Sequence, residues 1–236
     1  MVKNWKEEII QYIKKNRVST TEVADCLGKR GLLEGAYPLN KGKFCVGEVK
    51  WVYAINESNW TIHEMVRDTK PGEIVFMEAI NCGERALVGE LVSKYVLLYC
   101  QAEAIISNGK MRDAHKLLKE NHSIWCNGVT PIGCFNQRSE EDISSSLREE
   151  HYNFYHGAIA VCDDSGVGII PKENFNEDFY NKLIVLCTDK LFEGCYNKSV
   201  DSLYDFVSII SFLYGFVPIF PKSIDKIKKW CYNITA

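Results

Sequence analysis

Apolar residues at positions 5, 9, 12 and 13 recur at helical spacing, so residues 4–15 predict a short amphipathic helix. "STTEVADCLGKRG", residues 19–31, predicts a second helix. Ser19 and Glu22 make a capping box, Val23, Cys26 and Leu27 supply the apolar face, and Gly31 ends it. The pattern then changes to nearly continuous apolar runs. "FCVGEVKWVYAI", 44–55, reads as a strand, Asn59 to Val66 as a brief helix, and "KPGEIVFMEAI", 70–80, as a turn at Pro71 and Gly72 followed by a strand. Helix over 89–101, strand over 102–107, helix over 113–121 and strand over 123–128 come next. A charged middle, 138–150, leads into "HGAIAVCDDSGVGIIP", two strands joined at Asp163 to Gly166.

Strand and helix alternate from 73 to 127, which implies parallel strands with crossover helices and an α/β fold. Ligands in such sheets gather beyond the carboxyl ends of the strands. Three loops qualify: 81–90, 107–113 and 128–134. After Pro171 the pattern changes again. We divide the chain into an α/β core with N-terminal helices, 1–175, and a mainly helical, aromatic-rich extension, 176–236, expected to serve as lid, flank or oligomer contact. Within the extension, "LYDFVSIISFLYGFVPIF", 203–220, is interrupted by Asp205, Ser208, Ser211, Gly215 and Pro218. It reads as a buried or interface helix rather than a membrane span.

Composition narrows the function classes. The 236 residues carry 28 Lys and Arg against 31 Asp and Glu, a formal charge of -3, which gives no electrostatic case for nucleic acid. The ten cysteines form no CxxC, and many sit inside apolar runs, so buried free thiols are expected rather than a zinc or redox motif. The first residues lack the continuous apolar core of a signal peptide, and a cytoplasmic protein with no membrane partner is the expectation.

Two short stretches carry candidate chemistry. Gly89, Glu90, Leu91 and Val92 begin a predicted helix, where the first N–H groups have no internal partner and suit a small carboxylate. Dinucleotide and triphosphate glycine fingerprints are absent. "SNGKMRDAHKLL", 107–118, places Arg112 beside Asp113 where a turn feeds a helix. The plain alternative is that Asp113 caps this helix and Arg112 is a surface partner. The chemical alternative makes Asp113 a ligand for Mg²⁺ and Arg112 the group that meets a carbonyl oxygen as charge develops. Glu90 would then orient a metal-bound water or move protons. The Asp163–Ser165 hairpin reads as a turn, and the five histidines contain no HExxH.

The chain resembles the family of the regulator of ribonuclease activity A and the class II 4-hydroxy-4-methyl-2-oxoglutarate and 4-carboxy-4-hydroxy-2-oxoadipate aldolases. The matching pieces occur in order over about residues 19–171: "TTEVADCLGKRG", "KPGEIVFMEA", "RALVGELVSKYV", "AIISNGKMRDA", "WCNGVTPIG" and "DDSGVGIIP". The resemblance implies an α/β/α swivelling-domain-like core with a mixed or parallel sheet, assembled as a homotrimer or higher homo-oligomer. It implies a lyase that depends on Mg²⁺ or Mn²⁺, cleaves a 4-hydroxy- or 4-carboxy-2-oxo acid to release pyruvate, and decarboxylates oxaloacetate. It assigns Asp113 to the metal, Arg112 to the pyruvyl carbonyl oxygen, Glu90 to the metal's waters, and Leu91 and Val92 to the substrate carboxylate, beside Gly89, which on the residue reading lets a ligand approach the backbone. The alternatives are a non-enzymatic protein-binding regulator, like the inhibitor of an RNA-degrading endonuclease, or another enzyme on the same scaffold. The chain departs from the family at "YHGAIAV", where His156 and Ala158 replace the proline and aspartate of a PGD turn. It also departs in the rearranged segment 138–153 and in the longer, more aromatic tail.

Overall fold

The computed structural model describes residues 3–195. Chain contacts divide the protein into two compact units, Met1–Cys187 and Thr188–Ala236. Nine strands and seven α-helices are described: β1 Tyr37–Pro38, β2 Cys45–Ile55, β3 Ile74–Ile80, β4 Ala86–Val88, β5 Ala104–Ser107, β6 Lys110–Met111, β7 Ile124–Cys126, β8 Ile159–Asp163, β9 Gly166–Ile170; α1 Trp5–Asn16, α2 Thr20–Cys26, α3 Trp60–Met65, α4 Glu90–Lys94, α5 Ala114–Lys119, α6 Ser145–Tyr155 and α7 Glu177–Cys195.

Seven strands form one mixed sheet in the order β1-β7-β5-β3-β2-β8-β9. The pairs β2–β3, β3–β5 and β5–β7 are parallel, as the alternation of strand and helix implies. Strands β1, β8 and β9 pair antiparallel. Pro38 sits on edge strand β1, where a missing N–H costs no ladder bond. The protein is therefore an α/β core with a mixed sheet, and a helical extension begins at α7.

Alternation along β2 sorts its side chains between two apolar layers. Trp51 and Tyr53 join Phe76, Ile106 and Trp125 on one face. Val52 and Ala54 join Met77, Ile105, Leu87, Val96 and Leu117 on the other. A third layer packs Ile9, Ile13 and Val23 of the N-terminal helices, with Phe179 and Leu183 of α7, against Val161 and Ile170. Phe76 is fully buried at the centre of the sheet. Phe76→Ala should cost about 3–5 kcal/mol in urea unfolding, because the rigid sheet cannot collapse into the cavity.

Several local expectations are corrected. The helix expected over 89–101 divides into a five-residue α4 and a π-helical turn, Tyr95–Tyr99. The wide turn closes with Cys100 N–H donating to the Tyr95 carbonyl at 2.9 Å, and Tyr95 stacks on Tyr99 at 5.2 Å. Helix α2 ends at Cys26 rather than at Gly31, because Gly28 and Lys29 already take left-handed backbone angles. Gly31 serves a tight passage instead: a Cβ there would lie 2.7 Å from the Ile169 carbonyl oxygen. The charged middle contains α6, capped by Ser144, whose hydroxyl accepts from Leu147 N–H at 3.2 Å. No side chain of α6 is fully buried, so it shows no strong apolar stripe. No described helix is long and apolar enough to cross a membrane. The run 203–220, and the helices expected beyond α7, lie outside the described residues.

Candidate active site

A second, two-stranded sheet positions the site. Strands β4 and β6 run parallel, with Ala86 opposite Lys110 and Val88 opposite Met111. Parallel strands send their carboxyl ends the same way, so Gly89–Glu90 and Arg112–Asp113 emerge side by side. Arg112 N–H donates to the Val88 carbonyl at 3.1 Å and fixes that register. The third loop joins them, as Gly133 bridges to Ala86 and Val129 to Met111. The three loops expected from the sequence thus meet at one place.

The turn before β6 is locked from inside. Ser107 Oγ donates to the Met77 carbonyl at 2.6 Å and accepts from Gly109 N–H at 2.9 Å. Asn108 Oδ1 accepts from Ala79 N–H at 2.7 Å. Gly109 is needed for space: a Cβ would lie 2.8 Å from that of Ala79.

Asp113 takes the N-cap position of α5 without a side-chain capping bond, which corrects that part of the plain alternative, while Arg112 is the half-exposed partner of a carboxylate that it described. The Asp113 backbone is left-handed, at φ 59 and ψ 34. An aspartate tolerates that conformation better than most residues. The turn instead aims the carboxylate across to α4, where Oδ2 accepts from Glu90 N–H at 3.1 Å. Arg112 Nε lies 3.7 Å from the same oxygen. Both side chains are about half exposed, at 50% and 40%, so this pair contributes at most about 1 kcal/mol to stability. Stability therefore does not explain the pairing.

Gly89 lets these groups approach. A Cβ there would fall on the Asp113 carboxylate and within 2.7 Å of Arg112 Cγ. Gly133 does the same for the guanidinium: its Cβ would lie 2.8 Å from Arg112 Nη1. The first intrahelical bond of α4 runs from Ser93 N–H to the Gly89 carbonyl, which leaves the Leu91 and Val92 amides at the open first turn. The Leu91 side chain points to the surface.

Glu90 is held by two cations that the sequence reading did not include. Lys94 donates to its Oε1 at 2.6 Å, and Lys116 pairs with its Oε2. Hydrogen bonds from Lys116, then from Lys94, depress its pKa from the ordinary 4.5 to about 2. Lys94 lies four residues after Glu90 on a helix, a pairing legible in sequence. Lys116 comes from another element, and nothing local signals it. Because the folded pKa is depressed, these ion pairs contribute stability above about pH 4.5 and lose it as pH falls towards 2. Lys116→Ala should move the Glu90 titration upward, read from its side-chain carboxyl by NMR. An unchanged titration would reject the pairing.

Among the described residues, no three His, Cys, Asp or Glu side chains stand together as a metal-binding group. Asp113 alone suits a water-rich Mg²⁺ or Mn²⁺, which one carboxylate and several waters commonly hold. A cavity of about 970 Å³ lies elsewhere, between α3, α6 and residues 138–145, over Trp51, Tyr53 and Tyr152. It includes none of the residues above. Two of its charges are already paired with each other, Arg148 with Asp142, and Asp142 also accepts from the Tyr53 hydroxyl at 2.9 Å.

The seven-stranded mixed sheet and the helices around it define the class as an α/β fold, with the candidate residues at the ends of the separate β4–β6 pair. Within it, the chain belongs to the RraA-like family described as Aldolase/RraA, whose model matches residues 20–169. It is 26% identical over 156 residues to a protein of Halalkalibacterium halodurans provisionally named a 4-hydroxy-4-methyl-2-oxoglutarate aldolase, covering 66% of this chain and 73% of that one. Among solved structures, the fold is similar to an uncharacterized protein of Pseudomonas syringae, with TM-score 0.61, 18% identity, and coverage of 82% of this chain and 94% of that one. It is also similar to RraAS2 of Streptomyces coelicolor, called an unusual member of the RNase ES inhibitor RraA family. There the TM-score is 0.57, with 18% identity and coverage of 86% and 97%.

Proposed function

We propose that the protein is a divalent-metal-dependent lyase that cleaves a 4-hydroxy- or 4-carboxy-2-oxo acid to release pyruvate, with oxaloacetate decarboxylation as a companion activity. One observation carries this reading. Arg112, Asp113 and the open first turn of α4 converge at the ends of two parallel strands, while their pairing contributes little to stability. The similarity to an aldolase-named relative supports it.

In this reading the Leu91 and Val92 amides bind the substrate carboxylate, and Gly89 leaves room for it beside the backbone. Arg112 donates to the 2-oxo oxygen and stabilises the enolate left when the bond between C3 and C4 breaks. Asp113 would hold Mg²⁺ or Mn²⁺, which when bound supplies Lewis acidity towards that carbonyl. Glu90, ionised at neutral pH, serves as an acceptor for ordered water rather than as a proton donor. As that bond breaks, the C4 hydroxyl gives its proton to the water that Glu90 holds and becomes a carbonyl, and the enolate takes a proton at C3 from water. A panel of 2-oxo acids with Mg²⁺ or Mn²⁺, assayed for pyruvate, tests the proposal; a panel with no turnover would reject it.

A second reading, a protein-binding regulator, is favoured by the surface around the same place. Leu91, Leu98 and Tyr99, in and after α4, and Val129, Ile132 and Phe135, in the third loop, are exposed apolar side chains. An exposed apolar patch of this kind marks an interface. The same side chains would also suit the homotrimer that the family resemblance implies, in which case they leave no support for the regulator. Sedimentation of the purified protein as a monomer would reject that assembly.

A further inference from the structure

Three elements turn one face each towards the cavity of about 970 Å³. Along β2, Trp51, Tyr53 and Ile55 alternate onto one side of the sheet. On α6, Ser145, Arg148, Glu149 and Tyr152 recur at helical spacing, and on α3, Trp60 and Glu64 lie one turn apart. Residues 138–142 complete the rim. The opening explains why α6, eleven residues long, buries no side chain fully: part of its inner face stands over a space rather than on a packed layer. Most of α6 and residues 138–142 belong to the segment in which the sequence departs from the family pattern, so the family's own substrate does not account for this cavity.

Floor and rim differ in chemistry. Trp51 stacks on Tyr53 at 5.1 Å, and both are buried. Their polar atoms are committed: Trp51 Nε1 donates to Glu78 at 2.7 Å, and the Tyr53 hydroxyl donates to Asp142 at 2.9 Å. What these two residues offer is ring carbon. Trp60 and Tyr152 remain exposed, at 40% and 45%. Tyr152 is held edge-on by Trp51 at 6.4 Å and by His156, stacked on it at 4.4 Å. The rim carries five carboxylates against two guanidinium groups. Arg148 is paired with Asp142. Among the described residues, Glu64, Glu140, Glu141 and Glu149 form no ion pair with one another's neighbours, and neither does Arg138.

Aromatic rings attract cations through their negative faces. The cavity already shows this preference, because the Arg148 guanidinium lies 5.9 Å from the Tyr53 ring centre. The surplus of carboxylates favours a positive ligand and disfavours a phosphate or a nucleotide. A floor whose polar atoms are all committed suits a cation that needs no hydrogen bonds, whereas a primary ammonium brings three donors to satisfy. The volume falls within the range of about 300–1,000 Å³ usual for small-molecule sites. We propose that the cavity between α3 and α6 binds a quaternary ammonium compound, with the rings of Trp60 and Tyr152 against its methyl groups and the carboxylates of Glu64 and Glu149 balancing its charge.

The test uses choline as the probe, titrated into the full chain and read by NMR from the choline methyl signal and from the indole N–H signals of the protein. The expected result is a saturable shift that includes the Trp60 indole, identified by its loss in Trp60→Ala. The neutral molecule of the same shape, 3,3-dimethylbutan-1-ol, should bind at least about tenfold more weakly. Trp60→Ala and Tyr152→Ala should each weaken choline by at least about fivefold. Glu149→Gln, at an exposed position where folding is not at stake, should weaken choline by about two- to fivefold and leave the neutral molecule unaffected. No saturation with choline, equal binding of the neutral molecule, or tighter binding of benzoate would overturn the proposal. The readout is binding at a cavity that contains neither Arg112 nor Asp113, so its failure is distinct from failure of the lyase reading.

Discussion

Arg112→Ala should lower pyruvate release by about 10²–10³-fold, the usual loss when one donor to a developing oxyanion is removed. Unfolding should barely change, because the half-exposed pair with Asp113 is worth at most about 1 kcal/mol. Arg112→Lys should recover only part of the rate, since an ammonium keeps the charge but loses the fork that fits against Gly133. Rate and urea midpoint measured on the same samples separate the two effects. A variant that is folded and fully active would remove Arg112 from the chemistry.

Asp113→Asn is the sharper substitution at the neighbouring position. Asparagine accepts the left-handed backbone at φ 59 and keeps an oxygen for Glu90 N–H, so the turn should survive. What it loses is charge. Mg²⁺ affinity by titration calorimetry should fall by more than about 100-fold, beyond the range seen when only an outer partner of a metal ligand is removed. Wild-type affinity in this variant would reject Asp113 as the ligand.

Much of the fold was legible because its central elements follow simple periods. β2, β3, β5 and β7 are short apolar runs, and each parallel neighbour is reached through a helical segment. The site was legible in its parts: "GEL" as a helix start, and "RD" at a turn. What brings those parts together was not. β4 and β6 are only three and two residues long, too short to show a period, yet their parallel pairing sets Gly89 beside Arg112. The direction of the Asp113 carboxylate was equally hidden, because a left-handed turn aims it at α4 rather than at α5. Lys116 and Gly133 reach the site through tertiary structure alone. The π-helical turn after α4, with Tyr95 stacked on Tyr99, departs from the helical pattern read over 89–101.

The whole account hangs on three groups meeting around a small acid. The most direct measurement is pyruvate release from a 4-hydroxy-2-oxo acid by the purified chain, first with a chelator and then with Mg²⁺ or Mn²⁺ restored. The predicted result is turnover that disappears with the chelator, returns with the cation, and fails to return in Arg112→Ala. Absence of pyruvate in the metal-loaded wild type, or turnover indifferent to both the cation and Arg112, would contradict it.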